Sequence, residues 1–235
     1  ADSVVVPMAY HVHRRKLTQT YRTSTSHAAD RAILRLWVLR TLVLPGIWGS
    51  GLDTLLRDLR AAIDADGAGG FPVASIEQRM EARGKALVFS DAVIDELLTL
   101  AYGKRRTFAL LALLFPHVDT RNVHHVDHIF PVALLHKPQL KASGFSHAEV
   151  EELQAIRDLL PNLQLLEGPH NIAKSAQDPG NWSTAEFADP TKLTNYLSRN
   201  ALPDALPNSA AEFKAFFEAR RALLVELVKK TVTTG

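Results

Sequence analysis

A short β-rich stretch inside an otherwise helical chain is the feature that most constrains the fold. From His124 onward, the helical spacing of apolar residues gives way to two brief runs that predict strands near 122–130 and 162–167. The sequence therefore predicts a brief β-rich section within helical segments, and it leaves the pairing of the two strands open.

The segment between the predicted strands carries a helix start signal. Ser-His-Ala-Glu at 146–149 is a capping box, which predicts a helix running to about Leu160. After the second strand, Gly168-Pro169 predicts a turn, and a further helix is expected to begin near Asn171. The expected order is strand, inserted helix, strand, turn and helix, which is a compact ββα unit.

Apolar residues at helical spacing predict helices on both sides of this unit. On the N-terminal side they are expected at 27–43, 52–63, 74–83, 90–102 and 104–115, with a surface loop at 64–71. On the C-terminal side, a second capping box at 209–212 precedes an apolar stripe expected to be core: Phe213, Phe216, Phe217, Leu224 and Leu227. The predicted class is α+β and mostly helical, with a helical region at 1–120 and the ββα unit and C-terminal helix at 121–235.

Composition narrows the chemistry that is open to the chain. It contains no cysteine, which excludes disulfides, thiolate nucleophiles and Cys-ligated zinc and favours a cytoplasmic location. Any metal must be held by histidine, carboxylate or amide groups. No apolar run is long enough to cross a bilayer, so no membrane association is expected. The chain begins with Ala1 rather than Met, and we expect it to be a piece of a longer polypeptide.

Charge is small overall but unevenly distributed. The net charge is +2, yet the first 60 residues hold nine Lys or Arg against four Asp or Glu. This segment could meet phosphates, or it could be an ordinary solvated helix face. Seven of the ten histidines fall between His117 and His170, around the first predicted strand and the segment that follows it.

The residues that carry chemistry are an adjacent acid and histidine followed by two asparagines. Asp127 and His128 lie toward the end of the first predicted strand, and Asn162 and Asn171 follow the inserted helix. An imidazole held in one tautomer can take a proton from water, so His128 is the candidate general base. The Asp127 carboxylate and the Asn171 amide oxygen, completed by water and phosphate, suit Mg²⁺ or Mn²⁺. Asn162 is expected to fix the loop and the His128 ring through hydrogen bonds, and Lys174 to contact a phosphate oxygen.

These residues resemble the HNH nucleases of the ββα-metal, or His-Me finger, class. The chain is similar to the C-terminal nuclease domain of GmrSD-type restriction proteins in three short stretches: Asp-His-Ile-Phe-Pro at 127–131, Asn-Leu-Gln-Leu-Leu-Glu-Gly at 162–168 and Asn-Ile-Ala-Lys-Ser at 171–175. The resemblance implies metal-dependent cleavage or nicking of DNA in defence against phage. It also implies a separate upstream nucleotide-hydrolysing domain, which this chain lacks. Two departures from the class pattern are the long insertion between His128 and Asn162 and an Asn in place of a final His.

Other interpretations of the same residues stay open at this point. Asp127 and His128 could be a surface pair, Asn162 a turn residue, Asn171 a helix cap and Lys174 a solvated lysine. The whole unit could be a non-catalytic DNA-binding or docking module that keeps a nuclease-like scaffold. A third possibility is a zinc site built from the histidines of the first strand: His124, His125 and His128.

Overall fold

The structure, a computed structural model, describes residues 2–119, 122–167 and 176–233. Its backbone divides into two compact units, one covering Ala1–Phe89 and the other Ser90–Thr234. The chain is mostly helical, with one small two-stranded sheet, which confirms the predicted class. By its packing, the segment from 90 to 119 belongs with the sheet-bearing unit. The predicted division into a helical region at 1–120 and a region with the ββα unit at 121–235 stays a prediction.

The first unit is helical throughout the part that the structure describes. Its α-helices are α1 (Val5–Arg14), α2 (Ala28–Val43), α3 (Leu52–Asp66) and α4 (Val73–Glu81). One short 3₁₀ turn precedes α1, and two lie between α1 and α2. The predicted helices at 27–43, 52–63 and 74–83 are confirmed with small changes at their ends. The predicted surface loop at 64–71 is wrong at both ends, because α3 continues to Asp66 and the Phe71 side chain is buried.

A largely buried carboxylate, that of Asp30, links several segments of the first unit. Asp30 on α2 accepts hydrogen bonds from the Tyr21 hydroxyl at 2.8 Å and the Arg15 guanidinium at 3.0 Å, and its other oxygen accepts from the main-chain N–H of Phe71. The fully buried ring of His11 lies 3.3 Å from the same carboxylate. Burial alone would raise the pKa of Asp30, but these hydrogen bonds outweigh it and lower that pKa.

The second unit contains the sheet and the remaining helices. Its elements in chain order are α5 (Asp91–Leu98), α6 (Arg105–Leu114), β1 (His124–His128), α7 (Lys137–Ala142), α8 (His147–Ile156), β2 (Leu163–Glu167), α9 (Pro179–Glu186), α10 (Pro190–Arg199) and α11 (Ala210–Thr233). Ser90 caps α5 as expected, its hydroxyl accepting from the Val93 N–H at 3.3 Å. The predicted helix 90–102 ends early at Leu98, and Ala101 forms an isolated β-bridge with Leu159.

Helix α8 begins at the predicted capping box, in which Ser146 and Glu149 exchange hydrogen bonds. It ends at Ile156 rather than near Leu160, and a 3₁₀ turn at Leu160–Asn162 leads into β2. The residues between these two elements are therefore loop, not helix. This difference decides the position of Asp158, which lies in that loop.

The two strands pair antiparallel, which the sequence alone leaves open, and they are shorter than the predicted 122–130 and 162–167. Asp127 lies opposite Gln164, and His128 lies opposite Leu163. The helix expected near Asn171 lies outside the described residues, so the ββα finger as a whole stays a prediction.

The core of the second unit forms directly after β1. Ile129 and Phe130 are buried among apolar residues of α7, α8, α10 and α11, and the Phe130 ring packs 5.3 Å from the Phe213 ring. Complete burial of side chains of this size contributes roughly 1.5–3 kcal/mol each. The strand end that carries Asp127 and His128 is thereby anchored to a packed core.

Helix α11 supplies the aromatic part of this core. Most of the predicted apolar stripe is buried; Leu227 is only half-buried, and Val228 is buried next to it. At the start of the helix, the Glu212 carboxylate accepts from the main-chain N–H of Asn208 at 2.8 Å, one residue before the predicted cap at Ser209.

No helix within the described ranges is both long and apolar enough to cross a membrane.

Candidate active site

The half-buried carboxylate of Asp127 lies on one face of the two-stranded sheet. Gln164, directly opposite on β2, donates from its amide to Asp127 Oδ2 at 3.1 Å. Opposite residues of an antiparallel pair point to the same face, which explains the contact. The pairing register therefore fixes which polar group meets the carboxylate.

The amide of Gln164 is itself held in one orientation. The Tyr196 hydroxyl on α10 lies 3.1 Å from Gln164 Oε1, to which it can donate, and this turns the amide N–H₂ toward Asp127. Burial raises the pKa of Tyr196 well above its usual value; the charge of Arg220 opposes this and the charge of Asp127 adds to it. The hydroxyl is thus a neutral donor at physiological pH.

Arg220 on α11 is a fully buried cation close to this arrangement. Its guanidinium donates to the main-chain carbonyls of Pro161 at 2.9 Å and Leu163 at 2.7 Å, at the start of β2. It also reaches the carbonyls of Asn200 and Ala201 after α10, at 3.4 Å and 3.3 Å. Burial lowers the pKa of Arg220 to about 9, so it stays charged at neutral pH. It fastens α11 and the end of α10 to β2.

The His128 ring is held on the other side of the strand by a carboxylate that the motif does not contain. His128 Nε2 lies 2.9 Å from Asp158 Oδ1, in the loop after α8. The Tyr102 ring packs against the imidazole, with 4.7 Å between centroids and an angle of 34° between planes. The main-chain N–H of Tyr102 donates to the Asp158 carbonyl at 2.8 Å, so both partners of the ring are fixed to each other.

Asn162 connects the strand of His128 to the loop of Asp158. Its buried side chain accepts from the Phe130 N–H at 2.8 Å and donates to the carbonyls of Phe130 at 3.1 Å and Arg157 at 2.7 Å. Its own carbonyl accepts from the Ile129 N–H at 2.8 Å. Asn162 therefore fixes loops, as the sequence suggests, while the His128 ring itself contacts Asp158.

Asp158 has a second partner in the same loop. The Arg157 guanidinium donates to Asp158 Oδ2 at 3.0 Å, which leaves Oδ1 for His128. The Asp158 side chain is 40% exposed and that of His128 is 15% exposed. Solvent therefore reaches this pair, and the hydrogen bond to the ring is not sealed inside the core.

Two of the predicted site residues, Asn171 and Lys174, lie outside the described residues. Of the others, the structure brings Asn162 and His128 into one network through the loop 157–158. Strand alternation sends Asp127 and His128 to opposite faces of the sheet. The two groups share the end of β1, but each has its own hydrogen-bond partner.

The donors available for a cation in this part of the chain are hard oxygen groups. Within the described ranges, no cluster of three or more His, Asp or Glu side chains could hold a metal ion. The Asp127 carboxylate fits Mg²⁺ as one ligand, and Asn171 would have to supply the next. The zinc alternative is not supported, because His125 faces away from His124 and His128, which lie four residues apart on a strand, or about 13 Å.

Sequence reasoning missed Asp158, Tyr102, Gln164 and Tyr196 as parts of this site. The predicted inserted helix runs to about Leu160 and so includes Asp158, and nothing in that prediction indicates a contact with His128. Gln164 could have been found from the register, since pairing 128 with 163 places it opposite Asp127. No local signal points to Tyr102, which comes from a segment more than 20 residues earlier in the chain.

Comparison with known proteins gives no family assignment. No protein-family model matches the chain, and no curated protein matches it.

Proposed function

We propose that the chain is a metal-dependent DNA endonuclease of the HNH type that nicks DNA in the restriction of foreign DNA in the cytoplasm. The observation that carries the proposal is the hydrogen bond between His128 Nε2 and Asp158 beside the strand end that also holds Asp127. An ionised carboxylate only accepts hydrogen bonds, so the bond keeps the hydrogen on Nε2 and the neutral ring's lone pair on Nδ1. A base in a fixed tautomer is what proton removal from water requires.

The remaining roles follow from the chemistry of each side chain. Asp127 and Asn171 would hold Mg²⁺ or Mn²⁺ through oxygen atoms, and Lys174 would contact a phosphate oxygen. When bound, the cation would supply positive charge to the oxygens of the phosphate that is cleaved. Asn162 keeps the end of β1 and the loop 157–158 in register, which preserves the position of the base.

The opposite orientation of Asp127 and His128 sets a geometric condition on the substrate. The scissile phosphate has to lie at the end of β1, where a group can be approached from both faces of the sheet. His128 is the last residue of that strand, and its ring is partly open to solvent. A water molecule can therefore reach the imidazole without opening the core.

Relaxation of supercoiled plasmid tests the proposal. With Mg²⁺ present, the wild type is expected to convert supercoiled DNA to open circles, and chelation of the metal is expected to stop the reaction. His128→Ala should leave the plasmid intact, whereas the exposed histidine control His147→Gln should cut at the wild-type rate. Equal cutting by wild type and His128→Ala would remove the proposed mechanism.

Variants of the two proposed metal ligands test whether the chain is a metal-dependent nuclease. Asp127→Ala and Asn171→Ala should each weaken Mg²⁺ binding, measured by the metal concentration that gives half-maximal nicking. Control by an upstream nucleotide-hydrolysing domain is part of the proposal and rests on the resemblance alone. It predicts that nicking by a longer natural chain depends on a nucleotide, while nicking by these 235 residues does not.

A non-catalytic DNA-binding or docking module is the second candidate. It is favoured by the satisfied state of the two central groups, since Gln164 bonds to Asp127 and Asp158 bonds to His128. This candidate predicts retention of DNA in a mobility-shift assay without cutting under any metal. It also predicts that His128→Ala binds DNA as the wild type does and that no difference in plasmid topology appears.

A further inference from the structure

We infer that Asp158 is the positioning residue for His128, a role that rests on the proposed function and that the Asp-His motif does not assign to any residue. The juxtaposition is specific: a loop between α8 and β2 brings one carboxylate oxygen to 2.9 Å from His128 Nε2, on the side of the strand away from Asp127. The substrate chemistry that this serves is abstraction of a proton from water at Nδ1.

The Asp158 carboxylate is itself fixed on two sides. Arg157 donates to Oδ2 at 3.0 Å, so the carboxylate cannot rotate without breaking that bond. The main-chain N–H of Tyr102 donates to the Asp158 carbonyl at 2.8 Å, which sets the backbone of the loop. A carboxylate oriented by others can orient a ring, because its own rotational freedom has already been removed.

Tyr102 adds a second constraint on the same imidazole. Its ring lies 4.7 Å from the His128 ring, centroid to centroid, and limits rotation about the bond that joins the imidazole to Cβ. The hydrogen bond to Asp158 then selects between the two remaining orientations of the ring, since only one of them presents a nitrogen to the carboxylate. Together the two contacts define which nitrogen faces a bound phosphate.

Asn162 explains why this arrangement depends on the long insertion. Its side chain donates to the Arg157 carbonyl and also binds both main-chain groups of Phe130, two residues after His128. The insertion therefore returns to the strand at a fixed distance and delivers Asp158 beside the ring. The segment between His128 and Asn162 has a task in the site beyond connecting two strands.

Asp158→Asn is the variant that isolates this role. Asparagine has nearly the same shape and leaves the main-chain bond to Tyr102 intact, but its amide can either accept from or donate to the imidazole. The side chain no longer enforces hydrogen on Nε2, so the neutral ring can also carry its hydrogen on Nδ1. Glu151→Gln is the matched control, because it makes the same charge change at an exposed acid that bonds to Lys137.

The first measurement does not depend on cutting. In ¹⁵N-histidine-labelled protein, two-bond ¹H–¹⁵N spectra report the tautomer of each neutral ring, and His128→Ala identifies the His128 signals. We expect the Nε2–H tautomer in the wild type and Glu151→Gln, and a mixture in Asp158→Asn. An unchanged His128 tautomer in Asp158→Asn would overturn the inference.

The second measurement links the ring to the reaction. Nicking by Asp158→Asn is expected to fall about 10- to 100-fold in kcat with little change in KM for plasmid. A wild-type kcat in Asp158→Asn would overturn the inference. If the wild type itself does not nick, the proposed function fails, whereas the tautomer measurement still decides whether Asp158 orients His128.

Discussion

With Asn162 replaced by alanine, the second unit should unfold at a markedly lower denaturant concentration than in the wild type. The Asn162 side chain is fully buried and makes three hydrogen bonds to main-chain groups, two with Phe130 and one with Arg157. A buried hydrogen bond contributes roughly 1 kcal/mol net, so removing three costs about 3 kcal/mol. Alanine also leaves the Phe130 N–H and the carbonyls of Phe130 and Arg157 without the partner that Asn162 provides. The cost of those unsatisfied groups adds to the loss of stability.

Urea unfolding followed by circular dichroism measures this loss as a change in the free energy of unfolding. Asn162→Asp tests the donated bonds, because it keeps the acceptor for the Phe130 N–H but loses both bonds that the amide donates. Its expected cost is about 2 kcal/mol or more, since a carboxylate oxygen then faces two carbonyls. Hydrogen exchange at Ile129 and Phe130 should accelerate in both variants.

Asn181→Ala is the control for the same change of side chain. Asn181 is exposed, and its amide donates to the Asp178 carboxylate at 2.9 Å, so its replacement should alter stability by no more than about 0.5 kcal/mol. A loss below about 1 kcal/mol for Asn162→Ala would refute the reasoning, because three buried bonds would then contribute less than one.

Three further predictions concern the buried guanidinium of Arg220, the carboxylate of Asp30 in the first unit, and the metal. The lysine in Arg220→Lys cannot reach all the carbonyls that the guanidinium binds, so this change should cost about 1–2 kcal/mol in urea unfolding. The same change at its partly exposed neighbour, Arg221→Lys, should cost about 0.5 kcal/mol at most. The pKa of Asp30 is lowered in the folded chain, so the ionised carboxylate stabilises the fold above the unfolded-state pKa, and this stabilisation is lost as pH falls through the folded-state pKa. Asp30→Asn should therefore destabilise the first unit at pH 7. Unfolding followed by tryptophan fluorescence should show that the difference in stability between wild type and variant shrinks below about pH 4. Asp127→Asn should raise the Mg²⁺ concentration needed for half-maximal nicking, and an unchanged requirement would remove Asp127 as a metal ligand.

Much of the fold could be predicted because its signals are local. Periodic leucines indicate α3, and Ser146 with Glu149 marks the start of α8. Helices α9 and α10 were missed although each begins with an Asp cap followed by Pro in the first turn, at Asp178 and Asp189. Helix α9 has too few apolar residues for a periodic pattern, so its cap was the usable sign. Helix α10 also carries apolar residues at helical spacing, at Leu193, Tyr196 and Leu197.

The site was only partly predictable because its contacts are not local. Alternation predicts that neighbouring strand residues face opposite sides, which separates Asp127 from His128. The partner of His128, however, depends on where α8 ends, and the sequence pattern continues for four residues beyond its last turn at Ile156. The position of Tyr102 depends on the β-bridge between Ala101 and Leu159, which pairs segments 58 residues apart and leaves no mark in either.

Chemical rescue tests the central claim, that the His128 imidazole is the base that activates water, most directly. Nicking of supercoiled plasmid is measured with Mg²⁺ for the wild type and for His128→Ala, each with and without free imidazole. We expect rapid nicking by the wild type, none by His128→Ala, and partial recovery of the variant when imidazole is added. Nicking by His128→Ala at the wild-type rate, or a wild type that leaves the plasmid supercoiled, would contradict that claim.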